Sequence, residues 1–279
     1  MKMISNEIIE AYRKYLISEE KAPATVEKYI RDIRAFARWL GEKEWDKEAV
    51  LQYKSFLCGR ASPASVNSVI SSLNSFFAYG GRPELRVRAL KVQRQVFSKE
   101  ERELSKAEYE RLLKAAKQKH NERLYLVMST ICSTGIRVSE LRSITAEAVR
   151  RGRAEIRCKG KCRTVFLPDA LCRMLSRYLR EQKRKSGPVF VTKNGNPLDR
   201  SNIWSDMKRL CRSAGVNEKK VFPHNLRHLF ARTFYTIQKN IVRLADILGH
   251  SSVNTTRIYT TESGEIHRRR IQCLGLLRC

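Results

Sequence analysis

The stretch TGIRVSEL, Thr134 to Leu141, decides how the rest of this sequence is read. Gly135 is a natural stop for the apolar helix before it. Arg137 follows at once, and Glu140 lies one turn further on, where its carboxylate can orient the guanidinium. Two later stretches supply what one arginine cannot. HNLRH, His224 to His228, and LGHSSVNTTRIY, Leu248 to Tyr259, add a second arginine, further histidines and a tyrosine. Two guanidinium forks, imidazoles and a phenol are the groups needed to hold a phosphodiester and attack it without a metal.

The spacing adds to the residue types. On a helix, steps of three and four residues put His224, Arg227 and His228 on one face. Leu226, Phe230, Phe234 and Ile237 form the opposite stripe, so the expectation is a polar face held over an apolar one. His250 follows Gly249, and the run to Tyr259 is long enough for a turn and a short helix to return the phenol toward the imidazole. Taken singly, these residues have plain structural readings: Tyr259 as a packed tyrosine, His250 as a helix C-cap, Arg137 as an ordinary phosphate contact. The ordered set argues for chemistry.

In these motifs the chain resembles the tyrosine recombinases, also called phage-type integrases. The resemblance implies that Arg137 is a ligand of the scissile phosphate. It places His224 and Arg227 on the family's His-x-x-Arg, His250 in its Leu-Gly-His, and Tyr259, after Thr255 and Thr256, at the nucleophile. The family also carries a lysine in a β-hairpin turn, usually within Gly-Lys-Gly-x-Lys followed by Arg. Here the segment reads Cys158, Lys159, Gly160, Lys161, Cys162, Arg163, with one residue displaced and cysteine at the first glycine. Lys159 is our reading of the catalytic lysine, with Lys161 as the alternative. His228 stays outside the catalytic set, either as a group behind the site or as a surface DNA contact.

The activity implied is a transesterification. Tyr259 becomes joined to the 3′ end, a 5′ hydroxyl is released, and the bond energy is kept in the phosphotyrosine, with no cofactor and no metal. The leading reading is a site-specific DNA recombinase serving integration, excision, resolution or inversion. A type IB topoisomerase-like enzyme is the alternative within the same chemistry, and a non-catalytic helical DNA-binding regulator is the alternative outside it. The implied partners are a double-stranded DNA core site and further copies in a synaptic homotetramer, with a related recombinase in the complex as the alternative, and no membrane involved.

Composition agrees with a nucleic-acid partner. The chain has 56 Lys plus Arg against 28 Asp plus Glu, a net charge of +28. Residues 1–99 hold 18 basic and 11 acidic groups, against 38 and 17 in the remainder, so the part bearing the motifs is the more basic. Such a charge steers a protein to phosphate and makes binding salt-dependent. No long apolar span accompanies it, and the N-terminal MKMISNEIIEAYRKYL becomes amphipathic without a cleavable leader pattern. The eight cysteines contain no Cys-x-x-Cys pair and read as reduced thiols of a cytoplasmic protein.

Periodicity divides the chain into residues 1–90, a linker over 91–103 and a second domain over 104–279. The first reads as four helices. Ile8, Ile9, Tyr12 and Leu16 form one stripe; Val26, Ile30, Ile33, Ala37 and Leu40, widened by Tyr29 and Phe36, form the next. Asp46 caps a third helix bearing Val50, Phe56 and Leu57, and Ser62-Pro63 opens a fourth with Val66, Ile70, Leu73 and Phe77. Its aromatics read as core. By resemblance this is a SAM-like core-binding domain.

The second domain starts at a capping box, Ser105 and Glu108, with helices around Tyr109–Lys117 and Glu122–Ser133. A hairpin follows over Ala154–Cys158 and Arg163–Leu167, turning through Lys159-Gly160-Lys161, with Pro168-Asp169 opening another helix. Pro188 to Val191 is expected to add a third strand. The fold class is therefore mainly α: a four-helix domain, then a helix-rich α+β catalytic domain with a small antiparallel sheet that holds a lysine out toward DNA.

Overall fold

The computed structural model describes residues 4–92, 103–158, 161–259 and 272–273. The chain forms two compact units, Met1–Arg94 and Gln95–Cys279.

In the first unit, α1 (Asn6–Ser18), α2 (Pro23–Leu40), α3 (Lys47–Cys58) and α4 (Pro63–Tyr79) each bury one apolar stripe. The starts are set by side chains: Ser5, Asp46 and Ser62 accept from the backbone N–H of Ile8, Ala49 and Ser65, satisfying donors that a helix start leaves open. Tyr12, Ile30, Ile33, Phe36, Phe76 and Phe77 are fully buried, each side chain contributing about 1.5–3 kcal/mol through burial. The aromatics pack on one another, with Tyr12 edge-on to Phe76 and Phe36 edge-on to Phe77, so they form core. One buried charge is answered locally. Asp32 accepts from Lys28 Nζ at 2.7 Å and from Ser72 Oγ at 2.8 Å, which ties α2 to α4.

The second unit opens on α5 (Lys106–Gln118), where Ser105 and Glu108 exchange both capping-box hydrogen bonds. Next is α6 (Glu122–Thr134), whose apolar residues lie in the main core and which ends at Gly135 in the left-handed conformation, φ 66°. A 3-10 turn, Val138–Ser143, leads to α7 (Ala146–Arg151), then β1 (Arg153–Cys158) and β2 (Lys161–Phe166). Four longer helices follow, α8 (Asp169–Glu181), α9 (Arg200–Ala214), α10 (Pro223–Gln238) and α11 (Ile241–Leu248). The short α12 (Val253–Thr256) and a 3-10 turn, Arg257–Tyr259, bring the chain to the tyrosine.

Three expectations are corrected. Pro188 to Val191 is not a third strand; the sheet has two, and this segment makes only the isolated bridges Thr145 to Pro188 and Val191 to Pro197. A proline in each bridge lacks the N–H needed to extend a ladder. The hairpin turn is also tighter than expected, because Lys161 is paired with Cys158 as the first residue of β2. Only Lys159 and Gly160 lie between the strands, and both fall outside the described residues.

The third correction concerns α10. Its polar face is only partly open: His224 is exposed but Arg227 is 1 % exposed, while Ile237, assigned to the buried stripe, is 71 % exposed. Leu226 and Leu229 enter the main core, and the turn after α11 covers Arg227, so both sides of the helix are packed over its first half. Ile237 lies in the last turn, beyond that cover.

Candidate active site

The site is built where the C-terminal end of α6 meets the start of α10 and the turn after α11. Gly135 allows α6 to stop there, and a Cβ on it would strike the Phe230 ring. Arg137 then sits at the head of the 3-10 turn. Its backbone N–H donates to Glu140 Oε2 at 2.7 Å and its Nη1 donates to Oε1 at 3.0 Å, the orientation expected from the sequence. Glu140 is itself buried, 5 % exposed.

Arg227 lies beneath. Its Nη1 donates to Gly135 O at 2.6 Å, and its Nη2 donates to Leu248 O at 2.8 Å and meets His250 Nε2 at 3.0 Å. Glu140 Oε2 is 4.0 Å from Nη1. A buried guanidinium is costly unless paired and hydrogen-bonded; two carbonyls, an imidazole and a carboxylate meet that demand. Burial, then the field of Arg137, lowers its pKa, with Tyr259 and Glu140 acting the other way. Among the described residues its Nε–H has no acceptor.

The imidazoles are neutral. Burial and the charges of Arg227, Arg137 and Arg163 hold His250 down to about 4. His228 is also pushed down to about 4, by burial first and then by His224, Arg232 and Arg227. Desolvation, Arg227, Arg137 and Arg200 lower His224 as well, although solvent reaches part of its ring. Tyr259 is 3 % exposed and packs with Ala231, Leu244 and Leu248. Its ring stacks on His250, centroids 6.0 Å apart and planes at 15°, and meets His228 edge-on at 4.7 Å. The phenol thus stands between two neutral imidazoles and beside Arg227.

Of the residues expected from the sequence, the structure brings Arg137, His224, Arg227, His250 and Tyr259 together. Lys159 lies outside the described residues, and of the alternative, Lys161, only the strand position is described. Three neighbours stood outside the expected catalytic set. His228, left aside in the sequence reading, touches the Tyr259 ring. Thr256 Oγ1 is 2.8 Å from His250 Nδ1. Arg163, on β2, donates to Glu140 Oε2 at 2.7 Å and to Ile247 O at 2.7 Å. For Arg163 a signal existed. Cross-strand partners share a face, and its partner is the buried Ile156, so a charged residue at that register requires a buried counter-ion.

A basic, helical protein that gathers two arginines, three neutral imidazoles and a buried tyrosine over a buried carboxylate has the equipment of a phosphoryl-transferring enzyme. The chain belongs to the phage integrase family, the tyrosine recombinases. The pattern described as "Phage integrase family" matches residues 102–265, and that described as "Phage integrase, N-terminal SAM-like domain" matches residues 9–82. Tyrosine recombinase XerA of Thermococcus kodakarensis is 30 % identical over 96 % of this chain and 94 % of its own length. Tyrosine recombinase XerD of Vibrio cholerae is 27 % identical over 86 % of each. The crystal structure of XerA recombinase covers 98 % of this chain and 99 % of its own at 27 % identity, with a TM-score of 0.54. A lambda integrase tetramer bound to a Holliday junction has the same fold at 19 % identity, TM-score 0.74, over 91 % of this chain and 76 % of that one. The protein is an enzyme of DNA recombination.

Proposed function

We propose that the protein is a simple two-domain site-specific recombinase in which Tyr259 cuts DNA and Arg137, Lys159, His224, Arg227 and His250 assist. Tyr259 Oη forms a bond to the scissile phosphorus, the bond from phosphorus to the 5′ oxygen breaks, and that oxygen takes a proton from Lys159. A hydroxyl from the same or a partner duplex reverses the step. The observation that carries this reading is the position of the Tyr259 ring between His250 and His228, within the field of a buried Arg227. A free phenol has a pKa near ~10, so attack needs groups that take its proton and steady the phosphorane. Arg137 and Arg227 offer forked donors to the non-bridging oxygens, and His224 and His250 assist proton movement and phosphate binding by family analogy.

The domain over 1–90 grips the face of DNA opposite the catalytic domain over 104–279, with 91–103 joining them. A homotetramer performs the exchange, as the tetrameric lambda integrase on its junction suggests by likeness of fold. The tail after Tyr259, with Ile266, Ile271, Leu274, Leu276 and Leu277, is assigned to docking on a neighbouring copy; these residues lie outside the described ones. The place of action is the cytoplasm. No helix among the described residues is long and apolar enough to cross a membrane.

The test uses a nicked suicide substrate bearing the native site, recovered by sequencing DNA trapped on the protein in its host. Wild type should form a covalent band and exchange strands between two duplexes. Tyr259→Phe should bind but form no adduct. Adduct at wild-type level in that variant would remove Tyr259 from its role; relaxation without exchange would favour the topoisomerase alternative.

A further inference from the structure

After Ala231 no residue of α10 is fully buried, so packing holds the second half of this helix weakly. Arg232 supplies an attachment there. Its Nη1 is ion-paired with Glu103, and its Nη2 donates to Leu104 O at 2.8 Å. Both acceptors lie on the segment that leads into α5, and Leu104 is itself part of the main core. The same segment grips the residues before α10, because Glu108 of the capping box accepts from Lys220 Nζ at 3.0 Å.

The pair is not an open surface bridge. The side chains of Glu103 and Arg232 are 19 % and 28 % exposed, so solvent and salt screen them less. The Arg232 Nε is buried with no acceptor among the described residues. A buried donor left unbonded is a cost, which a contact serving stability alone would be better without.

His228 stands one turn before Arg232 on the same helix, and its ring meets Tyr259 edge-on at 4.7 Å. Residues four apart lie on one face of a helix, so a hold on Arg232 is also a hold on the turn that carries His228. Arg227 anchors the near side of that turn through Gly135 O and Leu248 O. Arg232 anchors the far side. Its charge reaches the ring as well, acting after burial and His224 to push His228 down to about 4.

We propose that Arg232 is a positioning residue for strand cleavage, clamping α10 to Glu103 and Leu104 so that the His228 ring keeps its edge against the Tyr259 phenol. The proposal rests on the recombinase reading above and adds to it a residue that acts only through another. A shift of the turn by about 1 Å is enough to spoil an aligned attack.

The experiment uses the full chain on the nicked suicide substrate under single turnover, with DNA affinity and urea midpoints measured alongside. Arg232→Gln should slow cleavage by on the order of tenfold with affinity little changed. Glu103→Gln should slow it less, because Leu104 O still holds the guanidinium, and should add little to Arg232→Gln in the double variant, as coupled partners do. Arg111→Gln is the structural control. Arg111 also bonds two carbonyls, Ala214 O and Gly215 O, but joins α5 to the end of α9, so this variant should cleave at close to the wild-type rate. The His228 titration is the readout that lost stability alone would not move; it is followed by 15N labelling of histidine and assigned by its absence in His228→Asn. It should rise from about 4 in Arg232→Gln, because a positive neighbour has gone, and stay in place in Arg111→Gln. Arg232→Lys keeps the charge and one donor and should restore the titration and most of the rate. Wild-type cleavage by Arg232→Gln, or a loss matched by Arg111→Gln with the His228 titration unmoved, would overturn the proposal. Should Arg232→Gln fail to fold, Glu103→Gln decides, and an unchanged rate in it would overturn the proposal. If wild type forms no adduct at all, the recombinase reading fails instead, and the His228 titration still shows whether Arg232 acts on that ring.

Discussion

Arg163 Nη2 lies 2.7 Å from Glu140 Oε2, a half-buried bridge from strand β2 to the turn that carries Arg137. The same guanidinium donates to Ile247 O, two residues before Gly249. One side chain therefore fixes the hairpin that leads to the lysine, the carboxylate that aims Arg137, and the turn that presents His250. Glu140 is the hub of three arginines, at 3.0 Å from Arg137, 2.7 Å from Arg163 and 4.0 Å from Arg227.

Removing either end takes one charged partner from the other, while Glu140 keeps Arg137 and Arg163 keeps Ile247 O. Arg163→Ala and Glu140→Gln should each lower stability by about 1.5–3 kcal/mol, read as a shifted urea midpoint of the full chain. Cleavage should slow by on the order of tenfold or more while DNA affinity changes little, since many other basic residues remain. Equal losses in binding and cleavage would make Arg163 an ordinary DNA contact.

Gly249 is the second support of the same bridge. Its φ is 65°, and a Cβ there would stand 2.5 Å from both Cδ and Nε of Arg163. Gly249→Ala should cost about 1–2 kcal/mol for the left-handed backbone alone and should displace Arg163, reproducing the cleavage defect of Arg163→Ala. Gly152 has nearly the same φ, 66°, with open space around it, so Gly152→Ala should show the backbone cost without the cleavage defect. Matching cleavage rates in the two alanine variants would break the link.

The neutral imidazoles make folding pH-dependent with a definite sign. His228 and His250 titrate at about 4 in the folded chain and at the ordinary 6.5 when unfolded. Between those values the unfolded chain binds protons that the folded chain does not, so stability rises with pH across the window. Their contribution is complete above about 6.5, is lost as pH falls toward 4, and does not change further below. Urea midpoints should fall between pH 7 and pH 5, and His228→Asn should shrink that fall; an equal fall in both proteins would exclude His228 as a source.

Much of this architecture was legible from periodicity and caps. The four N-terminal helices, the Ser105-Glu108 box, the hairpin and the turn and short helix before Tyr259 all follow from side-chain spacing that local physics enforces. Tertiary features were less legible. Nothing in the sequence near Arg227 says that the turn after α11 will bury it, and a helix wheel assigns charge to the outside by default. The false third strand arose because apolar residues outvoted two prolines. His228 was kept outside the catalytic set for a related reason: the Tyr259 ring it touches is brought to it by long-range folding, which spacing alone does not report.

The two arginines of the clamp differ in burial, and the difference predicts distinct phenotypes. The Arg137 side chain is 39 % exposed and that of Arg227 is 1 % exposed. Arg137→Ala should slow cleavage by on the order of a hundredfold or more with near-normal stability, the usual result of deleting a preorganised donor. Arg227→Ala should lose as much activity and also unfold more easily, because Gly135 O and Leu248 O are left without their donor. Thermal melts alongside adduct assays separate the two, and identical melts would contradict the burial argument.

The identity of the general acid is the last point open to direct test. β1 ends at Cys158 and β2 begins at its partner Lys161, which leaves Lys159 and Gly160 to make the connection. Lys159 holds the place of the first lysine in the family's hairpin motif, whereas Lys161 belongs to the ladder. If Lys159 protonates the leaving oxygen, Lys159→Ala should cleave ordinary DNA slowly, by on the order of a hundredfold. It should recover on a substrate whose 5′ bridging oxygen is replaced by sulfur, since a thiolate departs without a proton. Lys161→Ala should show no selective recovery. Rescue confined to Lys161→Ala would transfer the role to Lys161, and rescue of neither variant would place the acid outside the hairpin.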